Sequence, residues 1–249
     1  MCYGNSMSDK SAIEWTDATW NPVRGCTQVS PGCAHCYAKA FSERFRGVPG
    51  HPFGQGFDLR LVPEKLSLPL TWKQPKLVFV NSMSDLYHED VPIEYIQRVF
   101  EVMARAPQHT FQILTKRHER LAEIAPFLPW TPNIWQGVSV ENNRWACRAD
   151  ALRAVPATVR FLSCEPLLGP LDRLSLDGIH WVIGGGESGP RHRPFKAEWA
   201  RGLRDAALGA GIPFFWKQNG GRTPKAGGKL LDGREWCEMP ATLSVRVAG

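Results

Sequence analysis

No stretch of the 249 residues is apolar for long enough to span a membrane, and Met1-Cys2-Tyr3-Gly4-Asn5-Ser6 lacks the basic and apolar blocks of a secretion signal. A cytoplasmic protein with no membrane partner is the expectation. There is no internal repeat and no low-complexity linker, which argues against a solenoid or a string of domains. Nor is there a disulfide framework: the cysteines number seven, and three of them fall within eleven residues. The composition, 43% hydrophobic and 22% charged, is that of an ordinary globular chain, and its length is the size of a single α/β barrel.

Acidic excess is also missing. The net charge is +6, and most of it comes from Arg191 to Arg234, where ten Lys or Arg face three Asp or Glu. A basic segment of this kind fits a polyanion, nucleic acid above all, and equally a solvated basic surface. Arg191, Arg193, Lys217, Arg222 and Lys225 are the candidate nucleic-acid contacts. Ten tryptophans are many; Trp15, Trp20, Trp135, Trp145 and Trp216 suit base stacking, although aromatic residues more often fill the core.

The densest chemistry lies in Arg24-Gly25-Cys26-Thr27-Gln28-Val29-Ser30-Pro31-Gly32-Cys33-Ala34-His35-Cys36-Tyr37. Pro31-Gly32 is a turn dipeptide, so Cys26 can fold back toward Cys33 and Cys36. The Cys-x-x-Cys pair is expected at the start of a helix, whose amides favour an anionic thiolate. Three thiolates can hold a [4Fe-4S] cluster and leave one iron open to another ligand. With His35 or His51 they can equally make a structural Cys3His zinc site, and Cys-x-x-Cys alone can be a redox pair.

Around this loop the chain alternates. Residues 1–12 read as a polar tail. A first strand is expected at Trp20–Val23 and a helix at Cys36–Arg46, ended by Gly47-Val48-Pro49-Gly50. Further β-rich runs are Phe57–Val62, Leu77–Asn81, Thr110–Leu114, Ile134–Val140, Val159–Ser163, Trp181–Ile183 and Pro213–Trp216. The clearest helices between them are Ile93–Arg105, Asn143–Ala154 and Lys196–Leu208. Strand and helix in alternation predict a parallel sheet with helices outside, and about eight strands predict an α/β fold of the (β/α) barrel type, complete or partial and TIM-like. The barrel would occupy residues 13–218, with a Gly-rich basic extension, 219–249, packed on it.

Several further motifs carry a resemblance: Glu14-Trp15-Thr16, Thr19-Trp20-Asn21-Pro22, Asn81-Ser82-Met83-Ser84-Asp85-Leu86, Leu114-Thr115-Lys116-Arg117, Gly137-Val138-Ser139-Val140-Glu141-Asn142, Ser163-Cys164-Glu165-Pro166-Leu167 and Gly184-Gly185-Gly186-Glu187-Ser188-Gly189. With the cysteine loop they make the chain similar to a phage-associated family of uncharacterised three-cysteine-motif proteins. More broadly it resembles the radical S-adenosylmethionine (SAM) enzymes, related in outline to the radical-SAM DNA lyases. Where the radical-SAM pattern has three residues between the first two cysteines, this chain has six. The resemblance implies a radical-SAM type of barrel, a [4Fe-4S] cluster on Cys26, Cys33 and Cys36, and SAM bound at its open iron and cleaved to a 5′-deoxyadenosyl radical. The substrate would be a nucleic-acid base, and the partners an electron donor such as flavodoxin or ferredoxin and a further partner protein. The competing readings are a zinc-containing nucleic-acid-binding protein without catalysis and a cluster protein without SAM.

Barrel enzymes place their working residues at the C-terminal ends of strands. Ser82, Ser84 and Asp85 stand where the resemblance puts the SAM amino group, or else form a polar turn capping a helix. Lys116 and Arg117 suit a carboxylate or phosphate, against the start of a surface helix. Glu141 and Asn142 suit ribose hydroxyls, while Asn142 is also a natural helix N-cap. Cys164 is a candidate hydrogen-atom donor to a product radical, the catalytic assignment, against an inert core thiol. Gly185, Gly186 and Glu187 suit a phosphate or SAM carboxylate, against a tight turn.

Overall fold

The computed structural model describes residue 11, residues 13–223 and residues 226–240. Lys225 and nearly all of the expected tail therefore lie outside the described residues, as does the end of the 219–249 extension. Among the described residues no helix is long and apolar enough to cross a membrane.

The fold is α/β. Its strands are β1 (Ala18–Trp20), β2 (Val23–Arg24), β3 (Arg60–Leu61), β4 (Leu77–Val80), β5 (Thr110–Thr115), β6 (Ile134–Ser139), β7 (Arg160–Cys164), β8 (Trp181–Gly184) and β9 (Phe214–Trp216). The helices are α1 (Tyr37–Glu43), α2 (Ile93–Ala104), α3 (His118–Ile124), α4 (Cys147–Arg153) and α5 (Ala197–Gly209). Seven strands form one sheet in the order β1-β4-β5-β6-β7-β8-β9. The expected strand at Phe57–Val62 is not among them. Only Arg60 and Leu61 are extended, in an antiparallel two-residue ribbon with β2, because Pro63 stops the run in a 3-10 turn.

The contacts group the chain into two compact units. One takes in the described residues up to Val29, Cys36–Gln136 and Val155–Thr158; the other takes in Ser30–His35, Gly137–Ala154 and the described residues from Val159 on.

In the first unit β1 pairs in parallel with β4, and β4 with β5. These strands are buried nearly throughout, so they read as continuous apolar runs, as expected where a parallel sheet is covered on both faces. Trp20 and Phe111 sit 5.9 Å apart between their ring centroids, and the Trp20 indole donates to the Lys65 carbonyl at 2.7 Å. Helix α2 presents Ile96, Val99, Phe100 and Met103, a stripe at i, i+3, i+4 and i+7, with no exposed surface. Burying four such side chains contributes about 1.5–3 kcal/mol each before entropy is counted.

In the second unit β7 pairs in parallel with β8 and β8 with β9. Trp181, Phe214 and Trp216 are wholly buried there. Cys237 bridges antiparallel to Phe215, and the Trp181 indole donates to the Glu238 carbonyl at 2.9 Å. Part of the expected C-terminal extension is thus stitched onto β9.

Candidate functional site

In the first unit the chain is led into Cys26 by a polar lattice. Asn81, at the end of β4 with φ 60°, accepts from the Val23 amide through Oδ1 at 3.3 Å. Ser82 donates to Asn21 Oδ1 at 3.2 Å and Ser84 to the Val23 carbonyl at 2.7 Å. The Gly25 amide bonds to the Met83 carbonyl at 3.1 Å. Asp85 accepts from the Thr115 hydroxyl at 2.8 Å, the Lys116 amide at 3.1 Å and the Tyr87 amide at 3.0 Å. Ser82, Ser84 and Asp85 are therefore engaged with neighbouring chain segments; none of them caps a helix, since α2 opens at the N-cap Pro92 without a side-chain cap.

Beside Cys26 stands Arg117. Its Nη2 donates to Thr27 Oγ1 at 2.7 Å and to the Thr27 carbonyl at 3.2 Å, and lies 3.8 Å from Cys26 Sγ, while Nη1 pairs with Glu89. His88, 1% exposed, accepts the Asp90 amide at Nδ1, so its proton is on Nε2, which donates to Thr27 Oγ1 at 3.0 Å. The Thr27 hydroxyl in turn donates to Glu89 Oε1 at 3.3 Å. Burial and the Arg117 charge lower the His88 pKa and favour this neutral ring.

In the second unit the segment Ser30–His35, which carries Cys33, is held by the two carboxylates that the sequence singles out. Glu141 is wholly buried; it takes the Ser30 hydroxyl at 2.5 Å and Arg148 Nη1 at 2.8 Å, and Arg148 also donates to the Ser139 carbonyl. Gly32 is required here, since a Cβ would stand 2.3 Å from Glu141 Oε1. Glu187 receives His35 Nδ1 at 3.1 Å, the Arg193 amide at 2.7 Å and Arg193 Nη2 at 2.5 Å, and Arg193 reaches on to the Pro31 carbonyl at 3.0 Å. Burial opposes the Glu187 charge, but the Arg193 and His35 hydrogen bonds outweigh it and hold the carboxyl down to about 2.

The remaining candidates divide by exposure and by partner. Asn142 Oδ1 accepts the Arg144 amide at 3.0 Å, the N-cap arrangement. Cys164 is fully buried in β7, and burial pushes its thiol well above the usual range, as for a core residue. At Gly186 a Cβ would meet the Asn219 carbonyl at 2.5 Å, and its amide bonds to the Gln218 carbonyl at 2.8 Å. The close approach made by this glycine run is to the chain's own 218–220 backbone. Of the expected nucleic-acid contacts, Arg193 is taken up by Glu187, and Lys217 Nζ by Glu165 at 2.7 Å. Arg191 and Arg222 remain exposed. Trp15, Trp20, Trp135 and Trp216 are core residues, while Trp145 carries the Arg148 guanidinium 4.1 Å over its ring.

Arg148 lies outside every motif read from the sequence, whereas Ser30, Arg117 and Glu165 fall inside such motifs without their partners being legible there. Position signals two of them, since Arg117 follows β5 and Glu165 follows β7. Cys26, Cys33 and Cys36 are part-exposed and none is in a disulfide. Among the described residues no three His, Cys, Asp or Glu side chains are gathered closely enough to hold a metal ion.

Parallel strands whose exits carry charged side chains, with a cysteine-rich segment tied to some of them, define an α/β protein with a thiol-bearing loop. The chain belongs to the family described as "Protein of unknown function (DUF5131)", whose profile matches residues 10–240. No curated protein and no solved structure matches it.

Proposed function

We propose that this protein is a radical-SAM-like iron–sulfur enzyme acting on a nucleic-acid base, with a partial barrel as its scaffold. The observation that carries the reading is the donor set. Three thiols lie within eleven residues, with a guanidinium 3.8 Å from Cys26 Sγ. Cationic neighbours favour thiolates, the ligand form that iron requires. Cys26, Cys33 and Cys36 would hold a [4Fe-4S] cluster. When bound, such a cluster supplies one-electron reduction of SAM, with a flavodoxin or ferredoxin as the electron source.

The chain's own part is to position and to shield. Arg117 and Thr27 orient Cys26; Ser30, Glu141, His35, Glu187 and Arg193 fix the segment bearing Cys33. In this reading Ser82, Ser84 and Asp85 support the path of the chain rather than touch the ligand.

Anaerobic purification with iron, sulfide and zinc analysis tests the proposal, followed by reduction with dithionite in the presence of SAM. About four irons per chain and release of 5′-deoxyadenosine are expected. Cys26→Ala, Cys33→Ala and Cys36→Ala should each lower the iron content. One zinc and no iron, or full iron in all three variants, would sink the reading.

A further inference from the structure

Residues 24–60 of the first unit carry a surface that neither the fold nor the cysteine loop requires. Tyr37 and Phe41 stand four apart on α1, hence on one face, and are 60% and 42% exposed. With Val48 they make up three of the six exposed large apolar side chains among the described residues, so the exposure is concentrated here. Phe41 packs edge-on against Phe45 at 5.2 Å and against Phe53 at 5.4 Å; His51 stacks on Phe45 at 3.8 Å, and the Arg24 guanidinium lies 4.9 Å over Phe53. The Tyr37 hydroxyl donates to the Ser82 carbonyl at 2.6 Å, which fixes the ring.

The charge around these rings is predominantly positive. Arg24, Lys39, Arg44, Arg46 and Arg60 stand with Glu43, Asp58 and Glu64; Arg46 binds Glu43 at 2.6 Å and Asp58 at 2.8 Å, and Glu64 acts on Arg24. Lys39, Arg44 and Arg60 are exposed, and Arg44 lies three residues from Phe41, on the same helix face. Ordered aromatic faces among uncompensated cations match unpaired bases on a phosphate backbone: the bases stack on the rings and the phosphates meet Lys and Arg. A paired duplex hides its base faces and offers only its charge.

We infer that the Tyr37–Phe41–Phe53 surface with Lys39 and Arg44 is a docking platform for single-stranded nucleic acid. It shares with the proposed function only the nature of the partner and needs no cluster.

The test is fluorescence anisotropy with the anaerobically purified full-length protein and a labelled single strand of about 20 nucleotides, compared with its duplex. Tighter binding of the single strand is expected, weakening as salt rises. Phe41→Ala should weaken it about 5- to 100-fold, and Phe41→Trp should preserve it. Lys39→Glu with Arg44→Glu should flatten the salt dependence by about one to two in slope. Circular dichroism and iron content, measured on the same samples, should not change. Equal binding of duplex, no effect of Phe41→Ala, loss on Arg191→Glu with Arg222→Glu alone, or no binding at low salt, as for a surface that takes a protein, would each overturn the inference. Iron and 5′-deoxyadenosine found without binding would remove the platform and leave the cluster chemistry standing.

Discussion

Two segments of this chain look alike as charge and differ as surface. Arg191 to Arg234 is the more basic in composition, yet its cations are largely consumed: Arg193 by Glu187, Lys217 by Glu165, Arg201 and Arg204 by Asp232, and Lys229 by Glu235. Residues 24–60 are less basic, but a single arginine holds both of their acids. A polyanion is attracted by the field that remains after pairing, not by the number of Lys and Arg. The comparison also separates cations that hold the chain together from cations left for a partner.

The sharpest break in that comparison comes from the inner side. Glu141→Ala strands the Arg148 guanidinium, 1% exposed, without its carboxylate, and should cost about 3–5 kcal/mol in urea unfolding. Next is Glu187→Gln, expected to cost about 1–3 kcal/mol at pH 7 through lost charged hydrogen bonds. The sign with pH follows from the depressed carboxyl. Its contribution is complete above the ordinary carboxylate value of 4.5 and fades as pH falls toward about 2, so the gap between wild type and Glu187→Gln should close over that window. Exchanging the outer cations Lys39 and Arg44 for Glu should leave the unfolding midpoint in place and show itself in the salt dependence of oligonucleotide binding. The smallest effect is expected from Asp232→Asn, whose surface carboxylate is shared by Arg201 and Arg204: a nearly unchanged midpoint in the same urea titration.

Most of the sheet could be read from the sequence, because buried parallel strands are short apolar runs: Leu77, Thr110, Ile134 and Trp181 open their strands where the pattern says. Helix α3 was not legible, being seven residues long and giving way at once to a 3-10 turn containing Pro126. Phe57–Val62 misled because β-rich composition does not say which sheet a run joins. At the site, Glu141 and Glu187 stand out as acids at strand exits, but their partners lie 111 and 152 residues away at Ser30 and His35. Spacing along the chain carries no sign of such pairings. The same limit hid the pairing of Lys217 with Glu165.

Gly186 and Gly220 bring two backbones face to face, a Cβ at either one meeting carbonyl oxygen within 2.5 Å. Gly202 and Gly209 have open space around them. In a saturation library scored for soluble expression, these four positions would separate cleanly. Alanine would pass at 202 and 209 and be purged at 186 and 220, and no second substitution at the facing position could rescue it, because the obstacle is main chain and main chain is not encoded.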